Sequence, residues 1–305
     1  MTTTSATRQR TTSASNPFAP GATIAGKQVE RWYPRPTAAP GAQHLDRPLR
    51  WRKPRHGILT NDLFDGSLSN EAIAAVFGVM AACPQHTFQI LTKRPERMRQ
   101  WFDWVASKCL GANPHAARWC AKIAHNKRPD VSVERALVEV WDGRSVPPWP
   151  LPNVWLGVSV ENQATADERI PLLLQTPAAL RFVSYEPALG PVDFDEERDW
   201  LTPQLIMPDG SASATSAGSP KHPGLDWLIV GGESGPGARL CDLAWIRSAV
   251  AQCKAARVPA FVKQLGARPF AYGTHTRDGL RSLRSRKGGD PSEWPEDLRV
   301  RELPR

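Results

Sequence analysis

Six short apolar runs, separated by segments of helical spacing, restrict this chain more than any other feature. They are His56–Asn61 into Asp62, Phe88–Thr92 into Lys93 and Arg94, Val154–Val160 into Glu161, Leu180–Tyr185 into Glu186, Trp227–Gly232 into Glu233, and Ala260–Val262 into Lys263 and Gln264. Strands of this length alternating with helices predict an α/β fold on a parallel sheet of right-handed βαβ units. The carboxyl ends of parallel strands open on one face, so residues just past each strand converge whatever their distance in sequence. Three Glu, two Lys, one Arg and one Asp meeting at one mouth predict a site.

The intervening helices carry their own signals. Ile73, Val76, Phe77 and Met80 recur at helical spacing over Asn70–Ala82, with Ser69 placed as an N-cap. Pro95–Val105 and Asn162–Leu174, the latter despite Pro171, predict two more helices, and Asp242 caps one running to about Arg257. Residues 1–45 are rich in Thr, Ser, Pro, Ala and Gly without a sustained period, which predicts a disordered or non-homologous lead. Residues 46–267 hold the βα repeat. It is interrupted at 106–150 by mixed helical pattern with a Pro-rich exit, and at 195–224 by a Ser/Gly/Ala/Pro tract expected to be a flexible loop. Residues 268–305 form a basic extension with Arg277, Arg281, Arg284, Arg286 and Lys287.

Composition narrows the function classes. No apolar stretch approaches the ~20 residues of a membrane span, so no membrane partner is expected. Five cysteines at unrelated spacings (Cys83, Cys109, Cys120, Cys241, Cys253) argue against a disulfide framework and for a reducing, cytoplasmic setting. A net charge of +9 favours an anionic partner: nucleic acid, a nucleotide or a phosphorylated substrate. Arg50, Trp51, Arg52, Lys53 and Arg55 would supply phosphate contacts with an aromatic for base stacking, or simply form a solvated basic face.

The candidate ligand contacts follow from the strand ends. Gly231, Gly232, Glu233, Ser234 and Arg239 lie in a loop whose glycines let backbone amides approach a ligand, or merely make a tight turn closed by a salt bridge. The loop fits neither the Walker A nor the dinucleotide pattern. Lys93 and Arg94 precede a helix, as an anion site or as a surface cluster with Glu96. Ser159 with Glu161 and Ser184 with Glu186 repeat one pattern, a hydroxyl and a carboxylate two residues apart and therefore on one strand face. Such carboxylates serve as bases, hold an amine, or pair with Lys93 or Lys263 as buried salt bridges without chemistry. Cys109, His115, Cys120 and His125 lack the short cysteine pairing of structural zinc, so no metal is expected.

Several segments are specific enough to carry a resemblance: LTKRPERM (Leu91–Met98), PNVWLGVSVENQ (Pro152–Gln163), Ala166–Asp193, WLIVGGESGPGAR (Trp227–Arg239), VPAFVKQLG (Val258–Gly266) and Lys287–Pro304. Together, over about residues 45–305, they resemble the phage-associated family named after phage gene products thirty-seven and sixty-eight, a domain of unknown function often carried on mobile elements. The resemblance implies an incomplete parallel (β/α) barrel of about six strands, TIM-barrel-like and similar to radical S-adenosylmethionine enzymes. It also implies S-adenosylmethionine and an iron–sulfur cluster as cofactors, and a dedicated partner protein encoded nearby. Members open with a three-cysteine motif, whereas residues 1–45 here contain no cysteine, so this chain is not expected to hold the cluster. A truncated gene, a misassigned start and a cluster-free derivative all account for that difference. The expectation is a cluster-free relative with a retained ligand-binding mouth. A non-catalytic nucleic-acid- or partner-binding module is the alternative.

Overall fold

A computed structural model of the chain describes residues 45–60, 62–109, 115–127, 129, 133–140, 147–206, 220–271 and 283–304, with short strands at 23–24, 27–28, 31–32 and 212–213. Asn61, Arg277 and Arg281 lie outside the described residues. The centre is one parallel sheet: β1 (Arg31–Trp32), β2 (Ile58–Thr60), β3 (Phe88–Thr92), β4 (Val154–Val160), β5 (Leu180–Tyr185), β6 (Trp227–Gly231) and β7 (Ala260–Gln264). Every neighbouring pair is parallel, and spatial order equals chain order. Five strands have five or more residues, and β1 and β2 are short.

Sequential order with right-handed crossovers sends every helix to the same side. One large core joins outward strand residues such as Ile90, Val158, Val183, Val230 and Val262 to Val76, Trp101, Ile170 and Ile246 of the helices. The opposite face holds a separate cluster drawn from strands alone: Leu180, Phe182, Trp227, Ile229 and Phe261, with Leu91 and Trp155 at its margin. Gly157 is needed there, because a Cβ at that position would lie 2.5 Å from the Phe182 ring.

The helices are α1 (Asn70–Ala81), α2 (Pro95–Lys108), α3 (Ala116–Lys127), α4 (Val133–Val140), α5 (Gln163–Leu174) and α6 (Leu243–Ala256). Ser69, Asn162 and Asp242 accept from backbone amides at the starts of α1, α5 and α6, each such cap contributing about 1 kcal/mol. Asn162 and Thr165 form a reciprocal capping box that fixes the chain just beyond Glu161.

Three differences from the sequence reading concern placement. A seventh strand, β1, joins the sheet through the buried Trp32; two paired residues are too few to show a period. The 195–224 tract, expected as a flexible loop, contains Gln204–Ile206, Ala212–Ser213 and Pro220–His222 paired antiparallel. Lys263 and Gln264 lie inside β7 rather than beyond it, so Lys263 follows Phe261 onto the inner face.

Within the 106–150 interruption α3 and α4 are helices, and α3 packs tightly on α1. At Gly78 a Cβ would lie 2.3 Å from the Cys120 carbonyl oxygen, so this glycine permits the close helix contact despite its cost of about 0.5–1 kcal/mol in a helix. The C-terminal extension returns along β7. Val262 N–H donates to Val300 O (2.8 Å), Glu302 N–H to Ala260 O (2.9 Å), and Trp227 Nε1–H to Glu302 O (3.0 Å). That pairing covers a strand edge that would otherwise present free backbone groups. Among the described residues no helix is long and apolar enough to cross a membrane.

Candidate functional site

Alternation along β4, β5, β6 and β7 builds the inner face in layers. Leu180, Phe182 and Trp227 make an apolar floor. Above it Ser159 and Ser184 lie opposite each other in register. Glu161 and Glu186 follow two residues later, with Gly231 and Lys263 beside them. The shared strand face expected for each Ser and its Glu thus follows from the sheet's pleat, and it stacks the hydroxyls under the carboxylates.

Glu186 and Lys263 form the buried half of this layer. Lys263 Nζ lies 3.2 Å from Glu186 Oε2, with side-chain exposures of 6% and 2%. The Ser184 hydroxyl donates to the same oxygen at 3.2 Å. Glu186 Oε1 is buried and receives no hydrogen bond from the described residues. It faces Gly231, whose Cβ, if present, would lie 2.8 Å from it. Burial raises the Glu186 carboxyl above the ordinary carboxylate range, and the Lys263 ammonium and Ser184 hydroxyl pull it back only in part.

Glu161 sits on the adjacent strand in different company. Lys93 Nζ approaches Oε1 at 2.5 Å, and Arg169 Nη1 donates to Oε2 at 3.1 Å and to Ser159 O at 2.7 Å. Both carboxylate oxygens are thus engaged by cations. Lys93 is 45% exposed at its side chain, which opens this half of the layer to solvent. Arg169 was not among the residues the sequence singled out. It reaches back from α5, and its only signal was a cation one helix turn and a half into the helix that follows Glu161.

The remaining strand-end residues form two further groups. Asp62 Oδ1 accepts from the Thr92 hydroxyl at 2.8 Å, and Arg94 bridges Asp62 (2.5 Å) and Asp65 (3.0 Å). Arg94 therefore pairs with aspartates, and its surface partner is not Glu96, which binds Arg99 and Gln100. In the glycine-rich loop, Arg239 grips Glu233 through its backbone N–H (2.9 Å), Nε (2.8 Å) and Nη2 (3.0 Å). The Glu233 bond, and at longer range the Glu161 charge, raise the Arg239 pKa, so the loop and β4 share one electrostatic neighbourhood.

The loop's glycines divide by cause. Gly232 lacks room for a side chain because Leu265 O would be 2.2 Å from its Cβ, and Gln264 Nε2 donates to Gly232 O at 2.9 Å. Close packing against the end of β7 thus accounts for Gly231 and Gly232. Gly235 and Gly237 have φ of +106° and +78° with open space around them, so turn geometry accounts for those. Ser234 is half-buried between the two pairs.

The family described as a protein of unknown function, DUF5131, matches residues 4–288. The chain belongs to that family. No curated protein and no solved structure matches it. For this family member, the inner-face layer is the densest convergence of strand-end charges, and it collects Lys93, Glu161, Glu186 and Lys263 from β3, β4, β5 and β7 or their ends.

The other candidate regions read differently. Trp51 has the Arg55 guanidinium 4.6 Å and the Arg47 guanidinium 5.7 Å from its ring centre, and His86 packs edge-on at 5.4 Å. Its ring is already stacked within the fold. Arg50 pairs with Asp46, while Arg52 and Lys53 are exposed. His86 is fully buried, accepts from Arg55 N–H through Nδ1 (3.1 Å) and reaches Pro48 O through Nε2 (3.1 Å), which ties the basic stretch to the core. All five cysteines are buried and free. Burial pushes Cys83, Cys241 and Cys253 up to about 12 and raises Cys109 and Cys120 as well. Among the described residues no group of three His, Cys, Asp or Glu side chains is placed to share a metal ion.

Proposed function

We propose that the carboxyl end of the sheet is the binding mouth of an incomplete (β/α) barrel, that it takes a small nucleotide-like ligand carrying an amino group, and that it does so without iron–sulfur chemistry. Sequential strand order with all helices on one face and a strand-only cluster on the other supports the barrel reading. The observation that carries the binding reading is Glu186 Oε1, a buried carboxylate oxygen without a donor. Leaving such an atom unsatisfied costs about 1–3 kcal/mol, a cost that a ligand N–H removes on binding. Carboxylates and cations alternate around the same layer, which suits a ligand with both amine and anionic groups.

S-adenosylmethionine and a cluster are the cofactors that the resemblance to the radical-S-adenosylmethionine-like phage family implies. The residues of this chain do not fit the cluster. Iron–sulfur clusters need several thiolates at one place, and these five thiols are buried, raised in pKa and spread over four helices or their ends and the short strand at Cys241. No reaction step is therefore routed through a cluster.

Calorimetric titration of the full chain with S-adenosylmethionine, ATP and GTP tests the reading. Saturable heat with one of them, lost in Glu186→Gln, is the expected result. Absence of heat with all three at millimolar ligand overturns it. Anaerobic reconstitution with iron and sulfide should leave no stable visible absorbance, and a stable chromophore would contradict the cluster-free part. The nucleic-acid alternative keeps one supporting observation, the exposed pair Arg52 and Lys53. A salt-dependent RNA or DNA shift abolished by Arg52→Ala with Lys53→Ala would favour it.

A further inference from the structure

We infer that Lys263 is a carbonyl-capturing lysine: its amine forms a Schiff base with a small aldehyde or ketone, and Glu186 moves the protons. This deepens the reading of the mouth and rests on it only in taking the carboxyl end of the sheet as a site. Lys263 is 7% exposed and projects from β7 onto the inner face above Phe261. Its carboxylate partner among the described residues, Glu186, is likewise buried, at 3.2 Å. A lysine kept from water beside a carboxylate can pass its proton across and become a nucleophilic amine, which an exposed lysine at neutral pH is not. Lys93 is the contrast, because its ammonium faces solvent while it pairs with Glu161.

The second observation is the place of the unpartnered oxygen. Glu186 holds Lys263 and Ser184 through Oε2, and its Oε1 lies against Gly231, where a Cβ would sit 2.8 Å from it, so only a glycine leaves that oxygen its place. A carbonyl carbon bonded to Lys263 Nζ would carry its oxygen into reach of the same carboxyl group. That oxygen, once a hydroxyl, is the donor that Oε1 lacks.

The step balances within these groups. Lys263 transfers a proton to Glu186, and its nitrogen lone pair attacks the carbonyl carbon. The C–N bond forms, the carbonyl π bond breaks, and a proton moves from nitrogen to oxygen to give a carbinolamine. Glu186 then protonates the hydroxyl, the C–O bond breaks, water leaves, and the nitrogen lone pair closes the C=N bond. The products are an iminium ion, a carboxylate and water, with no oxidant or reductant required. Glu186 and Lys263 are nearly closed to solvent above the fully buried Phe182, Trp227 and Ser184, which restricts the carbonyl compound to a short one.

The experiment incubates the full chain with pyruvate or with glycolaldehyde in the presence of sodium cyanoborohydride and maps the reduced adduct by peptide mass spectrometry. The expected result is an adduct on Lys263 that forms faster than on the exposed Lys53 and Lys254, with a rate falling roughly 100-fold in Glu186→Gln. Adducts on Lys53 and Lys254 with none on Lys263 overturn the inference. Should Glu186→Gln fail to fold by circular dichroism, the wild-type map still decides, and Ser184→Ala replaces it as the slower variant. A chain that binds a nucleotide yet leaves Lys263 unmodified sinks this inference alone. A Lys263 adduct without nucleotide binding sinks only the preceding reading.

Discussion

Glu161 and Glu186 occupy equivalent places on adjacent strands, each two residues past a serine, and they end in opposite electrostatic states. Glu161 has a cation on each oxygen and an exposed lysine as one of them. Glu186 has one buried lysine, one hydroxyl, both on the same oxygen, and a second oxygen with nothing. The difference lies in what the neighbouring elements deliver. Arg169 comes to Glu161 from α5, whereas Glu186 lies between β4 and β6 and meets Gly231 at its second oxygen. A repeated local pattern sets which face a carboxylate joins, and its partners set what the carboxylate can do.

Breaking the buried pair should have the largest effect. Lys263→Met leaves Glu186 buried without its cation and should cost about 3–5 kcal/mol in urea unfolding. Adding Glu186→Gln to that variant should recover much of the loss, and a double variant no more stable than Lys263→Met would show that packing, not charge, sets the cost. Gly231→Ala places a methyl 2.8 Å from both Glu186 Oε1 and Gln264 O, so about 1–3 kcal/mol should be lost with no change of charge.

The pH dependence sharpens the same contrast. Because burial raises Glu186 in the folded chain, the native state holds its proton at pH values where the unfolded carboxyl, near about 4.3, has lost it. Stability from this group is fully present below that value and is lost as pH rises through the folded pKa. Glu186→Gln should therefore flatten the stability curve on its alkaline side, and a variant whose curve parallels the wild type would remove Glu186 from the account. The smallest effect belongs to the open half: Lys93→Ala should shift stability by about 1 kcal/mol or less, since its pair is solvent-screened. A loss as large as that of Lys263→Met would erase the distinction between the two carboxylates.

How far the site was legible follows from the same residues. Ser159, Glu161, Ser184 and Glu186 were readable because a strand's period of two places them on one face without any knowledge of partners. Lys263 is readable as a strand-end cation, but the strand runs two residues past the apolar run, since a short apolar run ending in Lys-Gln does not mark where pairing stops. Arg169 was not readable, because nothing in a helical stretch tells which of its cations turns back to the preceding strand. The glycines of the 231–237 loop were visible as glycines, yet packing explains one pair and turn geometry the other.

By itself the sequence determined the alternation of strands and helices, the caps at Ser69 and Asp242, and the set of charged residues that end the strands. Those are local properties, set by periodicity and backbone chemistry over a few residues. Only the tertiary structure decided that β1 joins the sheet, that the tail covers the edge of β7, and that Glu186 is buried with an oxygen unpaired while Glu161 is saturated. Ion pairing and desolvation depend on groups far apart in sequence, here 68 residues for Lys93 and Glu161 and 77 for Glu186 and Lys263, and no local pattern encodes them.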